Sequence, residues 1–322
     1  MYKDLTAKET AKRLLEIENP AVYIHVHPDG DCVGSAAALV EIYRQLGRSA
    51  CIIPEKAIPA RLNFVLQRVG AEITNDSSGK SIIAIDVASP SQLGALAERE
   101  EKPILMIDHH EFGQKFADAY VVPKASSAAE ALFDVAAELI SDGKITLTEK
   151  LAYAMYTAIS SDTGRFAYSN TTSRTLTVAA RLLDTGIDSA DINHRLFFSK
   201  TKTALMAEGF IISKIETFAD GAVAAATLTL KELDSLEAKS EDFETAIDIL
   251  RSLEGVSVAL FIKEVSENTY KASFRSTGIN VAEIAKSFGG GGHVRAAGCT
   301  IKADSIDEAK QLIVSAIPMP LN

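Results

Sequence analysis

Cysteine is scarce in this chain: Cys32, Cys51 and Cys299 are odd in number and far apart. That argues against a disulfide framework and against any paired-thiolate metal spacing, and it agrees with a reducing compartment. Long apolar runs are missing as well. Nothing approaches the roughly 20 residues of a membrane span, and Met1 to Glu18 is a charged amphipathic segment rather than a signal peptide. A cytoplasmic protein with no membrane partner is the expectation. Tryptophan is absent, and basic residues are outnumbered, 33 against 43 acidic, for a net charge of −10. Coating long duplex nucleic acid needs a basic footprint, so that class is excluded. A small anion held by a few local cations or by bound metal ions is not.

What is present is a chain of 322 residues, enough for two domains of ordinary size. Short apolar runs alternate with helical patterns through the first half. Strands are expected at 21–24, 49–53, 81–85 and 104–107, with an edge strand at 120–122. Helices are expected at 5–17, after Asp31, at 59–69, 90–100 and 127–140, and then from Glu149 to about Phe198. Such alternation predicts an α/β fold, a mostly parallel, doubly wound sheet with helices on both faces. After a linker at 188–202, a smaller mixed α/β domain is expected over 203–322, facing the first (1–187) across a cleft. It would hold a strand near 223–228, helical turns over 231–250, a hairpin of 256–265 with 270–275, a helix at 281–287, a strand at 299–302 and a helix at 306–317.

In parallel α/β sheets, ligands bind beyond the carboxyl ends of the strands. Three expected strands end in chemistry-bearing groups: His25, Asp29 and Asp31 after the first, Asp86 after 81–85, and Asp108-His109-His110 after 104–107. Each Asp taken singly is a helix cap or a turn residue. Taken together at one sheet edge they read as a site, because clustered buried carboxylates need cations to neutralise them. The two adjacent imidazoles point to opposite sides and so do different jobs. Mixed oxygen and nitrogen donors without cysteine suit two divalent cations, manganese first, with magnesium or cobalt as alternatives. His194 and Cys32 show no supporting partner, and packing or surface roles are expected for them. The run Gly289-Gly290-Gly291-Gly292-His293 could be a flexible linker, but the polar residues that follow favour a backbone that approaches a ligand closely. Arg275, His293 and Arg295 are the candidate anion-holding side chains.

These motifs together resemble the DHH phosphoesterase family, in its nanoRNase type with the associated C-terminal domain. The matching residues are His25-Val-His-Pro-Asp29-Gly-Asp31-Cys-Val-Gly34-Ser35, Ile85-Asp86, Asp108-His109-His110 and Asp162-Thr163-Gly164. Toward the C-terminus they are Ser273-Phe274-Arg275-Ser276 and Gly289-Gly-Gly-Gly-His293-Val-Arg295-Ala-Ala-Gly298. The resemblance implies that His25 and Asp29 hold one ion, that Asp31, His109 and Asp162 hold the other, and that Asp86 bridges them. It implies catalytic roles for His110 at the scissile phosphate and for Asp108 behind a histidine. Arg275, Ser276, Gly290, Gly291, Gly292, His293 and Arg295 would bind substrate.

The implied reaction is hydrolysis, by metal-activated water, of short oligoribonucleotides to mononucleotides and of 3′-phosphoadenosine 5′-phosphate to AMP. Linear or cyclic dinucleotides such as pApA and c-di-AMP are the alternative substrates, and a nucleotide sensor without turnover is the non-enzyme reading. An inorganic pyrophosphatase and a RecJ-type processive exonuclease are rivals within the fold. Partners would be short RNA and nucleotide bisphosphates, and a homodimer is allowed for.

Overall fold

The structure, a computed structural model, describes residues 2–318 and every side chain among them except that of His293. The chain divides into two compact units, the first ending at Ser199 and the second beginning at Lys200. In the first unit, β1 (Pro20–Tyr23), β2 (Cys51–Ile53), β3 (Glu72–Ile73), β4 (Ser81–Ile85), β5 (Pro103–Asp108) and β6 (Asp118–Val121) form one parallel sheet in the order β3-β2-β1-β4-β5-β6. The order reverses between β1 and β4, which opens a crevice at their carboxyl ends. β6 ends the sheet, and residues 3–5 cover that edge: Ala119 N–H donates to Lys3 O and Leu5 N–H to Ala119 O, each at 2.8 Å. Pairing of this kind hides an otherwise open strand edge.

Both faces of the sheet are covered, unequally. One carries α1 (Ala7–Glu16), α2 (Gly30–Gln45), α3 (Asn63–Val69), α4 (Ala128–Ser141), α5 (Glu149–Asp162) and α6 (Ser173–Leu183), around a core that includes Val22, Ile83, Ile107 and Leu132. The other face packs Tyr23, Ile53, Ala84 and Met106 against a thin layer to which Leu93 and Leu96 belong. The helix expected at 90–100 is there a run of 3₁₀ turns over Pro90–Glu98, because Gly94 at φ 55° interrupts it. A Cβ on Gly94 would stand 2.6 Å from Val26 Cγ1, so the kink brings this segment onto the loop that leaves β1. The stretch 188–202, expected as a linker, carries a short helix at Ser189–Asn193 and a π-helical turn at His194–Phe198, with Ile192 in the first unit's core. No helix among the described residues is long and apolar enough to cross a membrane.

The second unit is a mixed sheet of β7 (Glu216–Phe218), β8 (Val223–Leu228), β9 (Val258–Ser266), β10 (Thr269–Ser276), β11 (Gly291–His293) and β12 (Ala296–Lys302), in the order β11-β12-β10-β9-β8-β7. β8 and β9 run parallel and the other neighbours antiparallel. Helices Val281–Ser287 and Ile306–Ala316 cover one face, and Lys202–Ser213 and Ala246–Arg251 the other. Ala296-Ala297-Gly298 is strand, since Arg275 pairs with Ala296 and Ser273 with Gly298 across β10 and β12. Long-range pairing overrides the helical preference of alanine.

The glycine run forms the tight partner strand of that edge. A Cβ on Gly290 would meet Gly298 O at 2.2 Å, and one on Gly292, at φ 140°, would meet Ala296 O at 2.5 Å, whereas Gly291 has open space. Gly290→Ala and Gly292→Ala should therefore each lower stability by about 1–3 kcal/mol, and Gly291→Ala by much less. Denaturant melts of the three variants check this ordering.

Candidate metal centre

The site grows from the start of α2. Asp29 caps the helix, its Oδ1 accepting the Asp31 and Cys32 N–H groups at 3.0 Å each. Gly30 has no room for a side chain, since a Cβ would stand 2.3 Å from Ser161 Oγ. One turn on, a Cβ on Gly34 would come within 2.8 Å of Ala154 O. The small residues thus let α2 lie directly on α5, and this contact brings Asp162, the last residue of α5, beside Asp31.

Asp86 follows β4 at φ 57°. Left-handed backbone is rare outside glycine and costs about 1–2 kcal/mol, with aspartate and asparagine the side chains that tolerate it best. The Asp86 N–H donates to Ile107 O at 3.0 Å, which ties the turn to β5. The carboxylate is 3% exposed, and its Oδ1 has no hydrogen-bond partner.

β5 ends in Asp108, and the two histidines after it diverge as a strand end requires. His109 Nδ1 faces Ala125 O at 3.3 Å, so the tautomer that donates there turns the Nε2 lone pair to the acids. Its Nε2 lies 3.5 Å from Asp86 Oδ1, 3.7 Å from Asp31 Oδ2 and 3.8 Å from Asp162 Oδ2. His110 turns its Nδ1 to Asp108 Oδ1 at 2.7 Å. Across the crevice, His25 Nε2 is 3.5 Å from Asp86 Oδ2 and 3.8 Å from Asp29 Oδ1.

The donors therefore fall into three linked groups: His25, Asp29, Cys32 and Asp86 on one side, Asp86, His109 and His110 next to it and sharing Asp86, and Asp31, His109 and Asp162 beyond, joined through His109. A cavity of about 300 Å³ opens over them, with His27 and Gln92 also in its wall. The separations of 3.5–3.8 Å are too long for direct hydrogen bonds. They suit atoms on either side of one ion with ligand bonds of about 2.0–2.2 Å. An unpaired buried carboxylate oxygen also calls for a cation. On both counts the residues present fit divalent metal.

Electrostatics follows the crowding. Burial pushes Asp31 well above the carboxylate range, helped by Asp86. Burial also raises Asp162, to about 6, against the pull of His109. For His109, burial favours the neutral ring, but the facing carboxylates of Asp86 and Asp31 outweigh it and raise the imidazole to about 10. His25 moves the same way, burial being overcome by Asp29 and Asp86. A histidine ligates only as neutral imidazole, so an ion must displace these protons. Metal affinity should rise about tenfold per pH unit for each proton displaced, until the pH passes about 10 for His109. Calorimetric titration in buffers of different ionisation enthalpy should show net proton release at pH 7.

Sequence reasoning passed over three residues that shape this site. Cys32, expected to lack a partner, has its Sγ inside the first donor group. Asn170 bridges Asp162 and the loop before α4, its Nδ2 donating to Asp162 O at 3.1 Å and Ser126 O at 3.0 Å. Gln92 accepts from Ala88 N–H at 2.6 Å, while its backbone carbonyl accepts from Val26 N–H at 2.8 Å. Only the thiol was detectable beforehand, as a metal-capable side chain one residue from Asp31. Asp31 is itself heavily engaged: Ala128 N–H, at the start of α4, donates to it at 2.7 Å and Ser35 Oγ at 2.9 Å.

In the second unit, β10 ends in Arg275 and Ser276, Arg295 lies in the turn between β11 and β12 beside that end, Gly291 and Gly292 pair with Gly298 and Ala297 further along β12, and Gly290 lies against Cys299. Arg275 is half-buried, its Nη1 donating to Phe274 O at 3.0 Å, and Arg295 is exposed. Ser276 Oγ is occupied as a turn acceptor for Ile279 N–H at 2.8 Å and Gly278 N–H at 3.2 Å. The side chain of His293 lies outside the described residues.

Comparison with known proteins places this geometry. The chain is 31% identical over 312 residues, 95% of its length, to the bifunctional oligoribonuclease and PAP phosphatase NrnA of Thermus thermophilus, and covers 92% of that protein. Sequence models of the DHH family, N-terminal domain, and of the DHHA1 domain match residues 20–159 and 220–318. The chain belongs to the DHH family. Its members are metal-dependent phosphoesterases, so this chain is a hydrolase of that class. A second relative, the cyclic-di-AMP phosphodiesterase PdeA of Listeria monocytogenes, is 28% identical over 91% of this chain and 46% of its own length. The crystal structure of an exopolyphosphatase-related protein from Bacteroides fragilis shares the fold, with a TM-score of 0.87 at 22% identity, over 96% of this chain and 95% of that one.

Proposed function

We propose that this DHH-family chain hydrolyses short oligoribonucleotides to mononucleotides and 3′-phosphoadenosine 5′-phosphate to AMP. The observation that carries the reading is the buried carboxylate of Asp86, shared by the His25 group and the His109–His110 group, with Asp31 and Asp162 grouped about His109. Relatives named for those two activities over nearly the whole chain support it. Hydrolysis of cyclic or linear dinucleotides is the second reading, supported by the PdeA relative. The net charge of −10 favours short ligands over long duplexes.

In this reading His25 and Asp29 would hold one ion and Asp31, His109 and Asp162 the other, with Asp86 serving both. Manganese is the first choice for such imidazole and carboxylate donors, with magnesium and cobalt next. Bound there, the ions supply a water-derived nucleophile at neutral pH and charge neutralisation at phosphorus. His110, oriented by Asp108, delivers a proton to the departing oxygen as the P–O bond breaks. Arg275, Ser276, His293, Arg295 and the backbone of Gly290, Gly291 and Gly292 hold the nucleotide.

The test is a manganese-supplemented hydrolysis panel of RNAs two to five nucleotides long, 3′-phosphoadenosine 5′-phosphate, c-di-AMP, pApA and pyrophosphate. Release of mononucleotides and AMP is expected. Chelation should stop it and added divalent ion should restore it. Cleavage of pyrophosphate alone, or no turnover of any substrate, would overturn the reading.

A further inference from the structure

One donor beside Asp86 has no part in the scheme above. Cys32 is wholly buried, and its Sγ lies with the ligand atoms of His25, Asp29 and Asp86, all within 4.8 Å of one another. The thiol is turned back over the start of α2: it accepts the Asp29 N–H at 3.3 Å and faces Asp29 O at 3.6 Å. Asp86, in the same group, is 3% exposed; its Oδ2 stands 3.5 Å from His25 Nε2, and its Oδ1, turned to His109, has no hydrogen-bond partner. A buried carboxylate set between two histidines, with an oxygen left unpaired, calls for cations there independently of the thiol. Cys51 lies in the core on the opposite face of the sheet and Cys299 in the second unit, so this is the one thiol at the centre.

We propose that Cys32 is a fourth donor to the ion held by His25, Asp29 and Asp86, giving that half of the centre a preference for thiophilic divalent ions. The inference rests on the two-ion reading. Ligation forms a sulfur–metal bond, and the S–H proton leaves to solvent. The group then offers one imidazole, two carboxylates and one thiolate. A soft sulfur donor favours zinc, cobalt or cadmium far more than manganese or magnesium, which prefer oxygen. The other ion keeps only imidazole and carboxylate donors, so the two halves would differ in the metal they select.

Cobalt(II) titration of the full chain, followed by absorption, tests this without measuring turnover. A thiolate-to-cobalt charge-transfer band in the near ultraviolet should grow with the visible ligand-field bands and saturate at one equivalent. Cys32→Ala and Cys32→Ser should lose the band and keep the ligand-field bands, whereas Cys51→Ala should keep both. The serine variant retains an acceptor for the Asp29 N–H, so loss of the helix start cannot explain its result. In competition dialysis, both Cys32 variants should lose cadmium affinity by about tenfold or more, with manganese affinity little changed. Ligand-field bands without the charge-transfer band in the unaltered chain would show a thiol that only closes the helix start, overturning the inference while leaving the two-ion reading intact. Failure of the chain to bind cobalt at all would overturn both.

Discussion

Asp86→Asn should lower kcat by on the order of a thousandfold or more, ~4 kcal/mol on the barrier, while the chain still folds. Asp86 is the carboxylate shared by the His25 group and the His109–His110 group, with Oδ2 3.5 Å from His25 Nε2 and Oδ1 3.5 Å from His109 Nε2. Asparagine keeps the shape but offers one neutral oxygen and no charge, so it cannot serve two cations. It accepts φ near 57° about as readily as aspartate, and the N–H bond to Ile107 O is a backbone contact that it retains. The substitution therefore separates charge from backbone. Asp86→Ala should lose stability as well, because alanine has no such tolerance of left-handed backbone. Steady-state kinetics, bound-metal analysis and thermal melts of the two variants make the comparison. Full activity in the asparagine variant would remove Asp86 from the centre of the mechanism.

Much of the fold could be read where burial leaves a pattern. The run Val223–Leu228, buried throughout, and the amphipathic turn Val281–Ser287 have the same bounds in the structure as in the sequence reading. Edge strands carry no such imprint. Glu72–Ile73 is exposed on both residues, and Glu216–Phe218 is largely exposed, so neither has the alternation that marks a half-buried strand. At the site, the residues at strand ends were legible because parallel sheets collect ligands there. The convergence of His25, Asp86 and His109 is a property of strand order. Asp162 belongs to a different class. Its place depends on α5 lying against Gly34, and a sequence shows small residues without showing what packs on them. Cys32 shows no supporting partner in the sequence. Its neighbours in the structure are His25, Asp29 and Asp86, assembled from two strand ends and a helix start.

The adjacent imidazoles should separate cleanly in experiment. His109→Ala should cost one equivalent of bound metal and nearly all turnover, since its Nε2 faces three carboxylates and nothing nearby replaces it. His110→Ala should retain both equivalents and lose about 10²–10⁴ in kcat, with a smaller change in KM, the signature of a proton donor acting in the transition state. Asp108→Asn tests the same assignment from behind. The Nδ1 of His110 donates to Asp108 Oδ1, and this hydrogen bond is the main reason the imidazole holds its proton more tightly than usual. With a neutral partner the imidazolium is stabilised less. Activity that depends on a protonated His110 should then fall off at lower pH as the solution becomes alkaline, with metal content unchanged. The aspartate is 1% exposed and lies at the end of β5, so the variant's melt must be checked alongside. If His110→Ala instead releases metal and His109→Ala does not, the two histidines exchange roles, and the proton donor must be sought on the His109 side of Asp86.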